Sequence, residues 1–119
     1  MSDSALTPEL AAIADFIRQI MPFNALPEHE LSEVVHRMEI GYFRNGHVFD
    51  HRTREQGLRI LRNGAVDLRN EEDELLDRLA EGESFALNGL LKEDPAIRAV
   101  LIEDSLIYFL PQSEYEALR

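Results

Sequence analysis

Three glycines recur at intervals of eighteen residues in this chain, at Gly46, Gly64 and Gly82. Short runs of alternating apolar and polar residues lie between them, and polar turn residues bound each run. A glycine within a strand pattern marks a sharp bend, such as the corner of a rolled sheet. Helical patterns occur only near the two ends. The sequence therefore predicts a mainly β domain, an antiparallel jelly roll or β-roll of about eight strands with flanking N- and C-terminal helices.

The apolar runs set the approximate positions of the strands. They lie at residues 38–43, 47–49, 58–62, 65–69, 75–79, 97–103 and 106–110. The pair Asn63-Gly64 separates two of these runs, and Asn-Gly between alternating strands is the strongest short-range signal for a β-hairpin. We therefore expect the strands on either side of Asn63-Gly64 to pair with each other.

Two helices are predicted before the strands and one after them. Thr7-Pro8 suits the start of the first helix, because threonine caps a helix and proline fits its first position. Pro22 ends this helix. Ala25-Leu26-Pro27-Glu28 opens the second helix, which is expected to run to about Arg37, and the last helix is expected at residues 112–119.

The length of 119 residues suits one hydrophobic core. We divide the chain into an N-terminal helix at residues 1–21 and a β-roll at residues 22–119. The last helix shows no stop signal, so we expect a domain excised from a longer multidomain protein. Cysteine is absent, which excludes disulfides, thiolate metal sites and cysteine nucleophiles.

The chain is acidic, with a formal net charge of -11. Between Glu71 and Asp94 there are nine acidic residues against two basic ones. Such a surface repels nucleic acids and anionic membranes; it is either solvated or faces a basic partner. The N-terminus lacks a secretory signal, and no apolar run approaches the roughly 18 residues of a spanning helix. These features predict a cytoplasmic protein with neither a nucleic acid nor a membrane as partner.

The sequence carries no catalytic motif: no nucleophile elbow, Walker loop, dinucleotide fingerprint or zinc-protease motif is present. We therefore predict that the domain is not an enzyme and has no catalytic residues. His47 and His51, with Asp50 between them, lack a clear third ligand, so no metal site is expected.

Three stretches of glycines and apolar residues follow one another along the chain: Phe43-Arg44-Asn45-Gly46-His47-Val48-Phe49, Leu58 to Leu68, and Gly82-Glu83-Ser84-Phe85 followed by Leu90-Leu91. This set resembles the cyclic-nucleotide-binding domain family, which includes the bacterial catabolite activator proteins and the regulatory subunits of protein kinase A. The resemblance covers roughly residues 20–119. It implies a β-roll with a regulatory role.

A narrower likeness rests on Met21 to Pro27, the acidic stretch and Tyr108-Phe109-Leu110-Pro111. These segments look like the N-terminal domain of bacterial signal-transduction proteins, in which a cyclic-nucleotide-binding-like domain precedes paired CBS domains and a predicted nucleotidyltransferase domain. The likeness implies that the partners are downstream domains of the same polypeptide. The flanking helices offer a surface for homo-oligomer formation.

The resemblance places a phosphate-binding cassette at residues 82–100. Complete cassettes of the family read roughly Phe-Gly-Glu-x-x-Leu-Leu and then Pro-Arg-x-Ala-x-Val. There, backbone N–H groups and the arginine hold the cyclic phosphate, and the glutamate binds the ribose. In this chain Ala86, Leu87 and Ala96 replace the glycine, the glutamate and the arginine. Losing two charged contacts of about 1.5–3 kcal/mol each weakens binding by roughly two to four powers of ten.

The candidate ligand-binding residues of this cassette are Phe85, Ala86, Leu87, Asn88, Arg98 and Ala99. Arg98 lies two residues beyond the family's arginine, and therefore on the same side of a strand. It either replaces that arginine, if the loop register differs, or pairs with carboxylates at the surface.

Two functional hypotheses follow. The first is a regulatory ligand-sensing domain of a bacterial signal-transduction protein, with a degenerate cassette that binds cAMP or cGMP weakly or not at all. The alternative is a ligand-free structural or protein-interaction module that kept the fold, with the pocket filled by the protein's own side chains, such as Leu87.

Overall fold

The structure is a computed structural model that describes residues 7–20, 23–50, 52–53, 55–86 and 97–116. The chain divides into two compact units, Met1–Met38 and Glu39–Arg119. The first unit is helical, and the second contains the strands.

Two helices and one short turn make up the described part of the first unit. Helix α1 (Pro8–Ile17) begins where Thr7 Oγ1 accepts a hydrogen bond from the Leu10 N–H at 3.2 Å, so the predicted cap is confirmed. A 3-10 turn (Phe23–Ala25) precedes helix α2 (Glu28–Arg37), whose bounds agree with the prediction. Helix α1 ends at Ile17, with Arg18 as its C-cap, so it stops before the end that was predicted at Pro22.

The described residues of the second unit form eight strands and a short helix. These are β1 (Glu39–Phe43), β2 (Val48–Phe49), β3 (Gly57–Asn63), β4 (Val66–Arg69), β5 (Leu75–Leu79), β6 (Ser84–Phe85), β7 (Arg98–Leu101), β8 (Ser105–Pro111) and α3 (Gln112–Glu116). The last three residues of the predicted C-terminal helix lie outside the described part.

The strands form two four-stranded sheets, in the orders β1-β8-β3-β6 and β2-β7-β4-β5. Every neighbouring pair is antiparallel. The adjacent pairs β1/β8, β2/β7, β3/β6 and β4/β5 are those of a jelly roll, so the predicted fold class is confirmed.

The link at Asn63-Gly64 is a corner between the two sheets, and the predicted hairpin is wrong. β3 pairs with β6 and β8 in the first sheet, whereas β4 pairs with β5 and β7 in the second. A register shift between Leu61 and Asn63 bends the end of β3. Gly64 has φ +111°, and a Cβ there would lie 2.8 Å from the Cα of Ser105. This corner therefore requires glycine for both conformation and space.

The other two glycines of the eighteen-residue series also lie at corners. Gly46 links β1 to β2 and Gly82 links β5 to β6, and both links pass from one sheet to the other. Each of these glycines has a positive φ, and a Cβ added to either would meet nothing within 4 Å. The prediction that the glycines mark corners is confirmed.

Side chains from both sheets meet in an apolar core inside the roll. Its buried members are Phe49, Leu61, Val66, Leu79, Phe85, Ala99, Leu101 and Ile107. Because side chains alternate along a strand, the core positions fix which residues face inward. On β7, Ala99 faces the core and Arg98 the opposite side. On β3, Leu61 faces the core, and Arg59, two residues earlier, faces the same way.

Candidate ligand-binding site

The structure places the described cassette residues in two different environments. Phe85, Ala86 and Ala99 are buried, with exposed fractions of 3%, 2% and 0%. Phe85 and Ala99 belong to the core of the roll. Leu87 and Asn88 lie outside the described residues, as does Ala96. The buried cassette residues that the structure describes therefore contribute apolar packing and carry no charge.

Arg98 lies on the outer face of its sheet, at the turn between β4 and β5. Its guanidinium forms an ion pair with the Asp73 carboxylate and donates a hydrogen bond of 3.0 Å to the Asn70 carbonyl oxygen. The inward-facing neighbours on β7 are Ala99 and Leu101. To meet a ligand inside the roll, the Arg98 side chain would have to leave both partners and cross its own strand. The observed pairing matches the surface alternative for this residue.

A buried carboxylate lies on the same sheet. Asp67 on β4 is 1% exposed, and Arg78 on β5 donates to its two oxygens at 2.6 and 3.0 Å. Arg69 adds a third hydrogen bond at 3.2 Å. These hydrogen bonds, chiefly those of Arg78, hold the pKa of Asp67 below its usual value against the opposing effect of burial. Asp67 and Arg78 are direct cross-strand partners, so this group serves the β4–β5 pairing.

A second arginine, Arg59 on β3, lies inside the roll. It is 5% exposed, and its Cζ lies 4.5 Å from the ring centroid of Phe49 and 4.4 Å from that of Phe109. Nη2 donates a hydrogen bond of 2.8 Å to the Glu55 carbonyl oxygen. The guanidinium thus contacts two aromatic rings, in an arrangement that favours a cation.

The electrostatic surroundings of Arg59 differ from those of a surface ion pair. Burial lowers the pKa of its guanidinium, whereas the charges of Glu55 and Glu39 act in the opposite direction. Among the described residues Arg59 makes no ion pair with either carboxylate, and its one hydrogen bond goes to a backbone carbonyl. An arginine offers five N–H donors, so most of those of Arg59 have no acceptor in that part of the chain.

A cavity of ≈ 70 Å³ borders this arginine. Its lining residues are Glu39, Ile40, Gly41, Phe43, Glu55, Arg59, Ile107 and Phe109. The volume lies well below the roughly 300–1,000 Å³ of pockets that enclose drug-sized ligands. The cavity therefore suits a ligand much smaller than a nucleotide.

Sequence reasoning missed Arg59. The run Leu58-Arg59-Ile60 reads as an alternation with the arginine outside, yet Gly57 to Leu61 are all buried because both faces of β3 are covered. The signal available was an arginine flanked by large apolar residues in a central strand, which favours a partnered cation inside the domain.

His47, considered above as a metal ligand, packs against aromatic rings. Its ring centroid lies 4.9 Å from that of Phe43 and 4.6 Å from that of Phe49. Across the described residues no group of three histidine, aspartate or glutamate side chains is placed to hold a metal ion. His51 lies outside those residues. No helix in the same part of the chain is long and apolar enough to cross a membrane.

Solved structures share this architecture. The regulatory domain of protein kinase A from Toxoplasma gondii, crystallised with cAMP, has a TM-score of 0.82 at 18% identity and covers 96% of this chain and 46% of that chain. The sensor domain of the transcriptional regulator DNR from Pseudomonas aeruginosa has a TM-score of 0.80 at 15% identity, with coverage of 93% and 79%. The chain has the fold of a cyclic-nucleotide-binding domain.

A third similar structure is the regulatory subunit of a cAMP-independent protein kinase A from Trypanosoma cruzi, bound to guanosine. Its TM-score is 0.74 at 14% identity, with coverage of 91% of this chain and 41% of that chain. This chain thus spans less than half the length of the two kinase regulatory chains. These neighbours are regulatory and sensor domains by name. No protein-family model matches the sequence, and no curated protein does.

Proposed function

We propose that the chain is a regulatory, non-catalytic domain that senses a small ligand inside the roll. This ligand would not be held by the charged cassette residues that bind a cyclic nucleotide in complete cassettes. The observation that carries this proposal is Arg59, a buried cation that lines a cavity beside the apolar core of the roll. A charge in such a place is costly unless a partner compensates it, and a ligand anion is one such partner.

The degenerate cassette supports a ligand other than cAMP or cGMP. Ala86, Leu87 and Ala96 offer no charged group to a ribose or a phosphate, and Arg98 is engaged by Asp73 and Asn70. The similar regulatory subunit from Trypanosoma cruzi belongs to a cAMP-independent kinase and is bound to guanosine, which lacks a cyclic phosphate. We expect cAMP and cGMP to bind this chain weakly or not at all.

The setting that we propose is a cytoplasmic bacterial signal-transduction protein. Its partners would be downstream domains of the same polypeptide, and we expect these to be CBS and nucleotidyltransferase domains. The flanking helices would also allow the chain to form a homo-oligomer. α3 packs on β3, the strand that carries Arg59, and this contact supports a route from the cavity to the C-terminal helix.

The test is thermal unfolding of the chain in the presence of four ligand classes: nucleotides, phosphates, carboxylates and amino acids. A ligand at about 100 times its Kd adds about 2.7 kcal/mol to the free energy of unfolding, which raises the Tm by roughly 10 °C. We expect one class to stabilise the chain and the Arg59→Gln variant to lose the effect. Arg62→Gln is the matched control, because Arg62 is on the same strand but pairs with Glu81 at 3.1 Å on the surface.

A second candidate is a ligand-free interaction module. The observation that favours it is the position of the Arg59 guanidinium, which packs against the protein's own Phe49 and Phe109 rings. If none of the four ligand classes changes the Tm of the chain, the interaction module replaces the ligand-sensing domain as the proposed function. Stabilisation that survives in Arg59→Gln would place a ligand elsewhere on the domain.

A further inference from the structure

We propose that the cavity beside Arg59 binds a small zwitterion, a molecule with one carboxylate and one ammonium group, of the size of the smallest α-amino acids. This inference rests on the proposed function, because it names the ligand class of the same site. Arg59 would hold the carboxylate, and Glu39 and Glu55 would hold the ammonium group.

The carboxylate end follows from the geometry of Arg59. The rings of Phe49 and Phe109 lie within 4.5 Å of its Cζ, so we expect a ligand to approach the N–H edge. That edge presents a planar fork of donors, of which the described residues use one, in the 2.8 Å hydrogen bond to the Glu55 carbonyl oxygen. A planar fork matches the two oxygens of a carboxylate, and the apolar surroundings strengthen the contact.

The ammonium end follows from the two acidic residues of the lining. Glu39 and Glu55 border the cavity together with Arg59, and their charges act on its guanidinium, yet neither forms an ion pair with it. Two carboxylates and one guanidinium give the lining a net charge of about -1. A simple anion would therefore be repelled, and a multiply charged phosphate more so. A zwitterion avoids this repulsion, because it adds no net charge and its ammonium group can lie beside the two carboxylates.

The remaining lining sets the size of the ligand. The cavity has ≈ 70 Å³, and Phe43, Ile107 and Phe109 give it apolar walls. Gly41 adds no side chain, and the Phe43 ring lies close to it: a Cβ at Gly41 would lie 2.8 Å from Phe43 Cζ. These walls suit hydrogen or a short aliphatic side chain and exclude a purine.

The experiment follows the Arg59 Nε–H resonance in ¹⁵N-labelled protein during titration with glycine, acetate, methylammonium and inorganic phosphate. Glycine is expected to shift this resonance to saturation. Acetate and methylammonium are each expected to bind at least about tenfold more weakly, since each lacks one charged contact. Phosphate is expected to bind no more tightly than acetate.

The double variant Glu39→Gln and Glu55→Gln tests the ammonium subsite without touching Arg59. Both side chains are exposed, so the fold is expected to survive. Glycine should then bind about as weakly as acetate. Glu71→Gln, at an exposed position outside the cavity, is the matched control and should keep the preference for glycine.

Three outcomes would overturn the proposal. If acetate binds the native chain as tightly as glycine, no ammonium subsite exists. If phosphate binds more tightly and shifts Arg59, the site takes an oxyanion; the zwitterion proposal then fails while the ligand-sensing function stands. If no probe shifts the resonance and no ligand class raises the Tm, both proposals fail.

Discussion

Replacing Arg98 with alanine tests whether this residue serves the fold or a ligand. Its side chain is 31% exposed and pairs with Asp73, while it donates a 3.0 Å hydrogen bond to the Asn70 carbonyl oxygen. An exposed ion pair contributes about 0.2–1 kcal/mol, and the second hydrogen bond adds about 1 kcal/mol net. We therefore expect Arg98→Ala to lower the free energy of unfolding by about 1–2 kcal/mol and the Tm by roughly 4–8 °C.

Urea unfolding followed by circular dichroism measures this loss. Arg52→Ala is the matched control: Arg52 pairs with Asp50 at 3.4 Å, but its side chain is 79% exposed, so a change within about 0.5 kcal/mol is expected. A double-mutant cycle with Asp73→Asn isolates the ion pair, because asparagine tolerates the φ of 66° at that position. The expected coupling is about 0.5–1 kcal/mol.

The opposite pattern would refute this account of Arg98. If Arg98→Ala costs less than about 0.5 kcal/mol and abolishes ligand stabilisation in the thermal assay, Arg98 belongs to the ligand site. The cassette would then bind a ligand with β7 in a register against β4 that differs from the one in the structure.

Two further predictions concern the corner glycine and the buried carboxylate. Gly64→Ala should cost about 1–3 kcal/mol more than Gly46→Ala in urea unfolding: both have a positive φ, but only at Gly64 would the new Cβ crowd Ser105. An equal cost at the two positions would contradict the close approach at this corner. Asp67→Asn should cost about 1–3 kcal/mol at neutral pH. Because the folded pKa of Asp67 is depressed below 3.8, this stability is present above the unfolded pKa and is lost as the pH falls through the folded one. The urea midpoints of the native chain and of Asp67→Asn, measured from neutral pH to about pH 2, should therefore converge at the acidic end. A difference between the midpoints that stays constant with pH would argue against the ionised pair.

The strands were predictable from the sequence because their pattern is local. Residues 75–79 were predicted and found as β5, and the glycine spacing predicted the corners of the roll. The prediction of a hairpin at Asn63-Gly64 was wrong because a two-residue link fits either a hairpin or a corner between sheets. The choice depends on the pairing of β3 with β8 and of β4 with β7, between residues distant in sequence.

The candidate site was less predictable than the fold. Arg98 was singled out from its place in the sequence, but whether it faces the core depends on the register of β7 against β4. Arg59 was missed because alternation assigns one buried face to a strand, whereas β3 is buried on both. The two phenylalanines that contact its guanidinium come from β2 and β8, and no local pattern brings them together.

The central claim is that this chain has the fold of a cyclic-nucleotide-binding domain but lacks the charged cassette contacts that hold a cyclic nucleotide. Calorimetric titration of the chain with cAMP tests that claim most directly. The account predicts no saturable heat at ligand concentrations up to about 1 mM, since Leu87 and Ala96 carry no charge and Arg98 is engaged by Asp73 and Asn70. A saturable isotherm with a Kd near 1 μM, about three powers of ten tighter, would contradict it.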